Sequence, residues 1–158
     1  MKKKIALIVI IVAIVVKLVV VIQNNTTDSK FKLNMETENN SEIVKVGEEV
    51  VLAIKVNETI IASNFEINYD SEVFELVGSE TDNFNVAYKN GKLACIYADI
   101  NGIGTNEFKI KFVVTKEKAD KASFKIENAK FRAIEKEESY TGTQILGIDK
   151  ELKLKVQK

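Results

Sequence analysis

Between residues 62 and 79 the chain reads ASNFEINYDSEVFELVGS. Phe65, Ile67 and Tyr69 alternate with Asn64, Glu66 and Asn68, a period of two that suits a strand with one row of side chains in a core and the other outside. Tyr69-Asp70-Ser71-Glu72 interrupts the run, and Val73-Phe74-Glu75-Leu76-Val77 resumes it. The same signature predicts strands at 31–37, 49–57, 63–69, 73–77, 84–89, 92–99 and 106–115. Two more fall at 122–126, continuing through 131–134, and at 144–156, with a break near Gly147. Turn chemistry separates them. Val46-Gly47-Glu48 precedes the second strand, and Asn101-Gly102-Ile103-Gly104 reads as a loop. Lys89-Asn90-Gly91-Lys92 is the strongest hairpin signal, because Asn-Gly suits a two-residue type I′ turn whose central residues need positive φ. Residues 116–121 (KEKADK) read as a solvated loop. Many short strands with such turns predict an all-β fold, a two-sheet antiparallel β-sandwich rather than a parallel sheet.

The first 22 residues differ in kind. Lys2-Lys3-Lys4 precedes residues 5–22, an eighteen-residue run whose one charge is Lys17. As a helix such a run spans about 27 Å, close to the hydrocarbon thickness of a bilayer. A cleaved signal peptide and an uncleaved anchor both fit. The following Gln-Asn-Asn-Thr-Thr offers no small-x-small cleavage site, which favours the anchor. The three lysines then stay in the cytoplasm and the C-terminal part faces outward. Lys17 lies five residues from Ile22, so its stem can snorkel to the outer headgroups; at mid-membrane a lysine would cost about 2.5–3.5 kcal/mol. The expected organisation is a transmembrane helix at 1–22, a polar tether at 23–30 and a β-domain at 31–158.

Composition removes several chemistries. With no histidine there is no Ser-His-Asp triad, Cys-His pair or His-based zinc site. With no proline there is no Leu-Pro-x-Thr-Gly wall-sorting signal. Cys95, the single cysteine, cannot form an internal disulfide, and its parity with Leu93 and Tyr97 predicts a buried, inert thiol. Four of the 23 Lys/Arg lie in the first 22 residues and none of the 23 Asp/Glu do, so the remainder carries a mild excess of acid. Its basic residues are scattered, which argues against nucleic acid.

One strand is apolar on both faces. Leu93, Cys95 and Tyr97 form its core row, and the opposite row is Ala94, Ile96 and Ala98. In a two-layer sandwich that second face is covered by the protein's own loop or tether, or it is a patch for a partner. Asn64, Glu66 and Asn68 would rim such a patch with polar groups.

The strand ending in Tyr69-Asp70, its short turn and the following FELVG strand together resemble the cohesin family. The resemblance continues in Val46-Gly47-Glu48-Glu49-Val50-Val51-Leu52, in LACIYAD at 93–99, in Gly102-Ile103-Gly104-Thr105 with FKIKF at 108–112, and in FKIENAKF at 124–131. It implies a jelly-roll-type sandwich that docks dockerins, small calcium-loaded helical modules, through one sheet face. It also implies contact residues. Tyr88 stands where the family pattern has an aromatic before the hairpin. Ile96 matches an outward apolar residue on the next strand, Asp99 an acid at that strand's end, and Gly102 a glycine after it. Ala62 and Asn64 stand where dockerin-binding relatives have an Asn and an Asp.

The expected partner-binding set is therefore Asn64, Glu66, Tyr88, Ala94, Ile96, Asp99 and Gly102. The expected function is non-catalytic docking, at the outer face of the cell membrane (or in secreted form if the leader is cleaved), of a dockerin-bearing enzyme that acts on polysaccharide. Two alternatives stay open: a carbohydrate-binding module of the related superfamily, and a structural surface domain. No cofactor or metal is expected. Asp99-Ile100-Asn101-Gly102 starts like a calcium loop, but Ile103 and Ile110 occupy the fifth and twelfth positions. The pair Glu137-Glu138 sits in a charged run, and no motif suggests two opposed carboxylates. Sugar binding usually needs exposed aromatics; there is no tryptophan, Tyr69 and Tyr97 read as core, and Tyr88 and Tyr140 remain.

Overall fold

In a computed structural model of the chain, described for residues 32–89, 91–134, 144–146 and 150–158, one long strand organises everything else. This is β3, Glu49–Tyr69. Its first part pairs antiparallel with β1 (Leu33–Thr37) and β7 (Thr105–Val114), with Leu52 opposite both Thr37 and Ile110. Its second part pairs antiparallel with β6 (Lys92–Ala98) and β8 (Ala122–Ala133), with Ile67 opposite Leu93 and Ile126. Two layers result. One runs β1-β3-β7-β4, where β4 is Phe74–Ser79. The other runs β2-β10-β8-β3-β6-β5, where β2 is Ile43–Lys45, β5 is Phe84–Lys89 and β10 is Lys150–Gln157. The short β9, Gln144–Leu146, lies beside the far half of β8.

The alternation read from the sequence sets which side of each strand is inward. Along β7 the odd-numbered residues are half-buried and Phe108, Ile110, Phe112 and Val114 are buried. Between the layers stands a column of aromatic rings. Phe65 packs against Phe108 at 6.0 Å, Tyr69 against Phe112 at 5.4 Å and Phe112 against Phe124 at 4.9 Å between centroids. Burial of this kind contributes roughly 25 cal/mol per Å² and dominates the favourable side of folding. Cys95 sits in this core with no exposure, and desolvation pushes its thiol well above the ordinary range.

The Tyr-Asp that ends β3 is a structural device. Tyr69 caps the ring column, stacked nearly parallel on Phe124 at 6.0 Å. Asp70 accepts a hydrogen bond from the Ser123 amide at 2.8 Å, while its carbonyl accepts from Val73 and Phe74. The β3–β4 turn is thereby tied to β8.

Several expectations need correction. The segments 49–57 and 63–69 are one strand. Asn57, Glu58 and Thr59 are polar and exposed, as a linker would be, yet their backbone stays extended. The Asn57 amide donates to the Lys32 carbonyl, and the Thr59 carbonyl accepts from Ile134. A register shift between Lys55 and Ile60 marks the passage from one layer to the other. The expected continuation of 122–126 into the 131–134 region does hold, as one strand kept continuous by a bulge at Asn128, whose φ is 54°. β2 was not expected, because three residues are too few to show alternation, and its pairing with β10 is parallel, not antiparallel. The two-residue β5–β6 connection is present, with Lys89 opposite Lys92 and Gly91 at φ 81°. The N-terminal helix and tether, Tyr140, the pair Glu137-Glu138 and the break near Gly147 lie outside the described residues.

Candidate docking face

The outward side of the second layer carries most of the sequence-predicted residues, and strand register fixes their places. Asn85 on β5, Ile96 on β6, Asn64 on β3 and Lys130 on β8 form one row across four strands. Ala87, Ala94, Glu66 and Glu127 form the next row. Along β6, one strand in from the β5 edge, runs the apolar strip Ala94, Ile96, Ala98. Ile96 is 53% exposed, so none of the described residues covers it.

At one end of the strip the face is charged. Lys92 reaches from β6 to Glu127 on β8 at 2.8 Å and to Glu66 on β3 at 3.4 Å. Glu66 also accepts from the Asn128 side-chain amide at 2.7 Å, and Lys125 lies 3.0 Å from Glu127. The hydrogen bonds from Lys92 and then Lys125 hold the Glu127 carboxyl down to about 2, and in return raise Lys92. This network was invisible in the sequence. Lys92 stands 26 and 35 positions from its two acids, and only the β8 bulge sets their register.

At the other end Asp99 is committed to its own loop. Its carboxylate accepts hydrogen bonds from the Asn101 amide at 2.8 Å and the Gly104 amide at 2.6 Å, and these bonds, Gly104 foremost, lower its pKa. Its oxygens thus shape the turn in which Gly102 takes φ 70°. Tyr88 does not share this face. It pairs with Leu93, so it shares the core-side row of β5 with Phe84 and Val86 and points to the opposite side of the sheet from Ile96. There its ring meets Tyr69 edge-on at 6.1 Å.

Sequence reading also missed Ile100 and Ile103, which the Asp99 loop holds almost fully in solvent. Isolated isoleucines in a Gly-rich turn carry no periodic signal.

A mostly polar sheet face with an uncovered apolar strip suits a macromolecular surface better than a small ligand. Depressions of about 330 Å³ (Thr37, Glu38, Val44, Glu48) and about 310 Å³ (Tyr69, Asp70, Glu72, Lys118) lie away from it. Among the described residues no group of three or more His, Cys, Asp or Glu side chains could hold a metal ion.

An all-β sandwich that presents such a face is the architecture of a binding module. The cohesin-domain model matches residues 33–143, and the chain belongs to the cohesin family, whose domains are non-catalytic protein-docking modules. Solved structures agree on the fold. A cohesin module from a family 33 glycoside hydrolase of Clostridium perfringens ATCC13124 superposes with a TM-score of 0.60 at 14% identity, covering 80% of this chain and 96% of that one. A type II cohesin domain from the cellulosome of Acetivibrio cellulolyticus gives a TM-score of 0.54 at 14% identity, covering 82% and 93%. No curated protein matches the sequence.

Proposed function

We propose that this chain is a membrane-anchored docking module whose second-layer face holds a dockerin-type partner outside the cytoplasm. In this reading residues 1–22 are the anchor, 23–30 the tether and 31–158 the displayed domain. The partner is a calcium-loaded helical module carried by an enzyme that acts on polysaccharide. The observation that carries the reading is Ile96, half in solvent on the outward side of β6, next to the edge strand, and framed by Ala94, Ala98, Asn64 and Glu66. An amphipathic helix laid across the strands would bury this strip and meet the polar rim.

The test is calorimetric titration of the fragment from Asn25 onward, which keeps every described core residue, against a panel of calcium-loaded dockerins. Binding by at least one dockerin, lost with a calcium chelator and lost in Ile96→Glu, is the expected result. Absence of binding across the panel, or binding indifferent to Ile96→Glu, would overturn it. Tyr88, 53% exposed on the opposite side of the sheet, supports a second reading in which a sugar ring stacks there. Glycan binding that survives Ile96→Glu and fails in Tyr88→Ala would select that reading.

A further inference from the structure

Strand register and backbone hydrogen bonds place four separate segments at one end of the sandwich. Lys32, the first described residue, exchanges hydrogen bonds with Asn57: its amide donates to the Asn57 side-chain oxygen at 2.6 Å and its carbonyl accepts from the Asn57 amide. Ile60 lies opposite both Thr105 and Ala133. The Asp99 amide donates to Ile61, and the Ile134 amide to Thr59. The point where the chain enters the domain, the crossing of β3, the 99–104 loop and the end of β8 therefore share that end.

It is also the greasiest end. Ile100 is 89% exposed, Ile103 75% and Ile134 36%. The first two are the most exposed of the large apolar side chains described. They do not flail on a loose loop. Both oxygens of Asp99 are bonded within it, and Gly104 is wedged so tightly that a Cβ there would stand 2.7 Å from the Ile60 carbonyl. Two isoleucines held out in water by one hydrogen-bonded loop form an exposed apolar patch of the kind that marks an interaction site.

We propose that this end of the domain rests on the membrane surface, with Ile100, Ile103 and Ile134 inserted at the lipid headgroup boundary. The inference rests on the anchor reading above. Nine residues, 23–31, separate Ile22 from Lys32. Fully extended they reach about 30 Å, and as a coil roughly 15–18 Å. The far end of the sandwich stands off by the length of β7, ten residues or about 33 Å more. The Lys32 end is thus the one the tether keeps beside the bilayer. At that effective concentration even a weak apolar contact is occupied. Electrostatics adds little pull. Charge at this end is mixed, with Glu58 and Asp99 against Lys32 and Arg132, and Asp99 is satisfied internally, so neutral phosphatidylcholine is a sufficient surface.

The chain has no tryptophan, so one introduced residue is an unambiguous reporter. Full-length Ile103→Trp and, at the far end, full-length Lys121→Trp are reconstituted into phosphatidylcholine vesicles with and without brominated acyl chains. The expected result is blue-shifted emission at position 103, quenched at least twofold by the brominated lipid, with position 121 unshifted and unquenched. Protein that floats with the vesicles while both positions stay in water overturns this inference and leaves the anchor reading standing. Protein that fails to float overturns both. A shift at position 103 that needs an added dockerin, and not the vesicle, overturns it in favour of a protein contact.

Discussion

Ile96 of β6 and Asn64 of β3 face each other across a single antiparallel rung, on the solvent side of the sheet. The pair joins the apolar strip to its polar border, and it makes the face testable one residue at a time. Ile96→Glu places a carboxylate where a partner must desolvate it and should weaken docking at least tenfold. Because the side chain is half exposed, the unfolding midpoint should stay nearly unchanged. Tyr88→Ala is the contrasting variant: it acts on the other side of the sheet and should leave dockerin affinity unaltered. Calorimetric titration of both variants checks the assignment of faces.

Phe65 reaches across both layers, with ring centroids 5.8 Å from Phe84, 6.0 Å from Phe108 and 5.6 Å from Phe131. Truncation to alanine removes contacts on three strands at once and opens a void that three neighbouring rings cannot fill. Phe65→Ala should cost about 3–5 kcal/mol, read as a lower urea midpoint with the slope unchanged.

Gly104 and Gly91 both have positive φ, 72° and 81°, but their surroundings differ. A Cβ at Gly91 meets open space, whereas at Gly104 it would stand 2.7 Å from both the Ile60 carbonyl oxygen and the Thr59 methyl. Gly91→Ala should cost about 1–2 kcal/mol from left-handed backbone strain alone. Gly104→Ala should add about 1–3 kcal/mol of overpacking, because the Ile60 carbonyl belongs to the β3 backbone and cannot step aside. Paired denaturation curves separate the two.

Stability should be flat from about pH 5 to 9, since no histidine is present to titrate there. Below that plateau Glu127 matters. Its folded value, about 2, lies beneath the ordinary carboxylate value, so its contribution is complete above the ordinary value and disappears as pH falls through the folded one. Asp99 and Glu38 act in the same sense. On the alkaline side Lys92, raised chiefly by its hydrogen bond to Glu127, contributes below the ordinary lysine value and loses that contribution as pH rises through its own. Urea midpoints measured from pH 2 to 11 should show the plateau, and Glu127→Gln should shrink the acid limb.

Cys95 should be silent toward a thiol reagent in native buffer and react at once in denaturant. Burial both hides the sulfur and disfavours its thiolate. Modification of the native protein at a rate near that of a free thiol would contradict the packing of β6.

The strands with clean alternation were legible because side-chain parity survives without knowledge of neighbours: Leu93, Cys95 and Tyr97 are buried and Ile96 is not. Parity alone also identified Ala94, Ile96, Asn64 and Glu66 as outward. It could not show that Tyr88 points the other way, since that follows from its pairing with Leu93, and the family pattern offered only an aromatic near the hairpin. Nor could it join 49–57 to 63–69, where three polar residues read as a linker but are held extended by partners from β1 and the end of β8. The bonds from the Asn101 and Gly104 amides to Asp99 were not legible either, because an acid beside glycines carries no sign of which amides it will hold.

The antiparallel pairing of β1 with β3 has a mechanical meaning. Tension applied at Lys32 and directed out of that end runs along the axis of β1, so its five rungs from Leu33 to Thr37 are sheared together instead of unzipping one after another. The strand they grip belongs to both layers, and through it the strain spreads into the whole sandwich. A load entering at Lys32 therefore meets all five rungs at once.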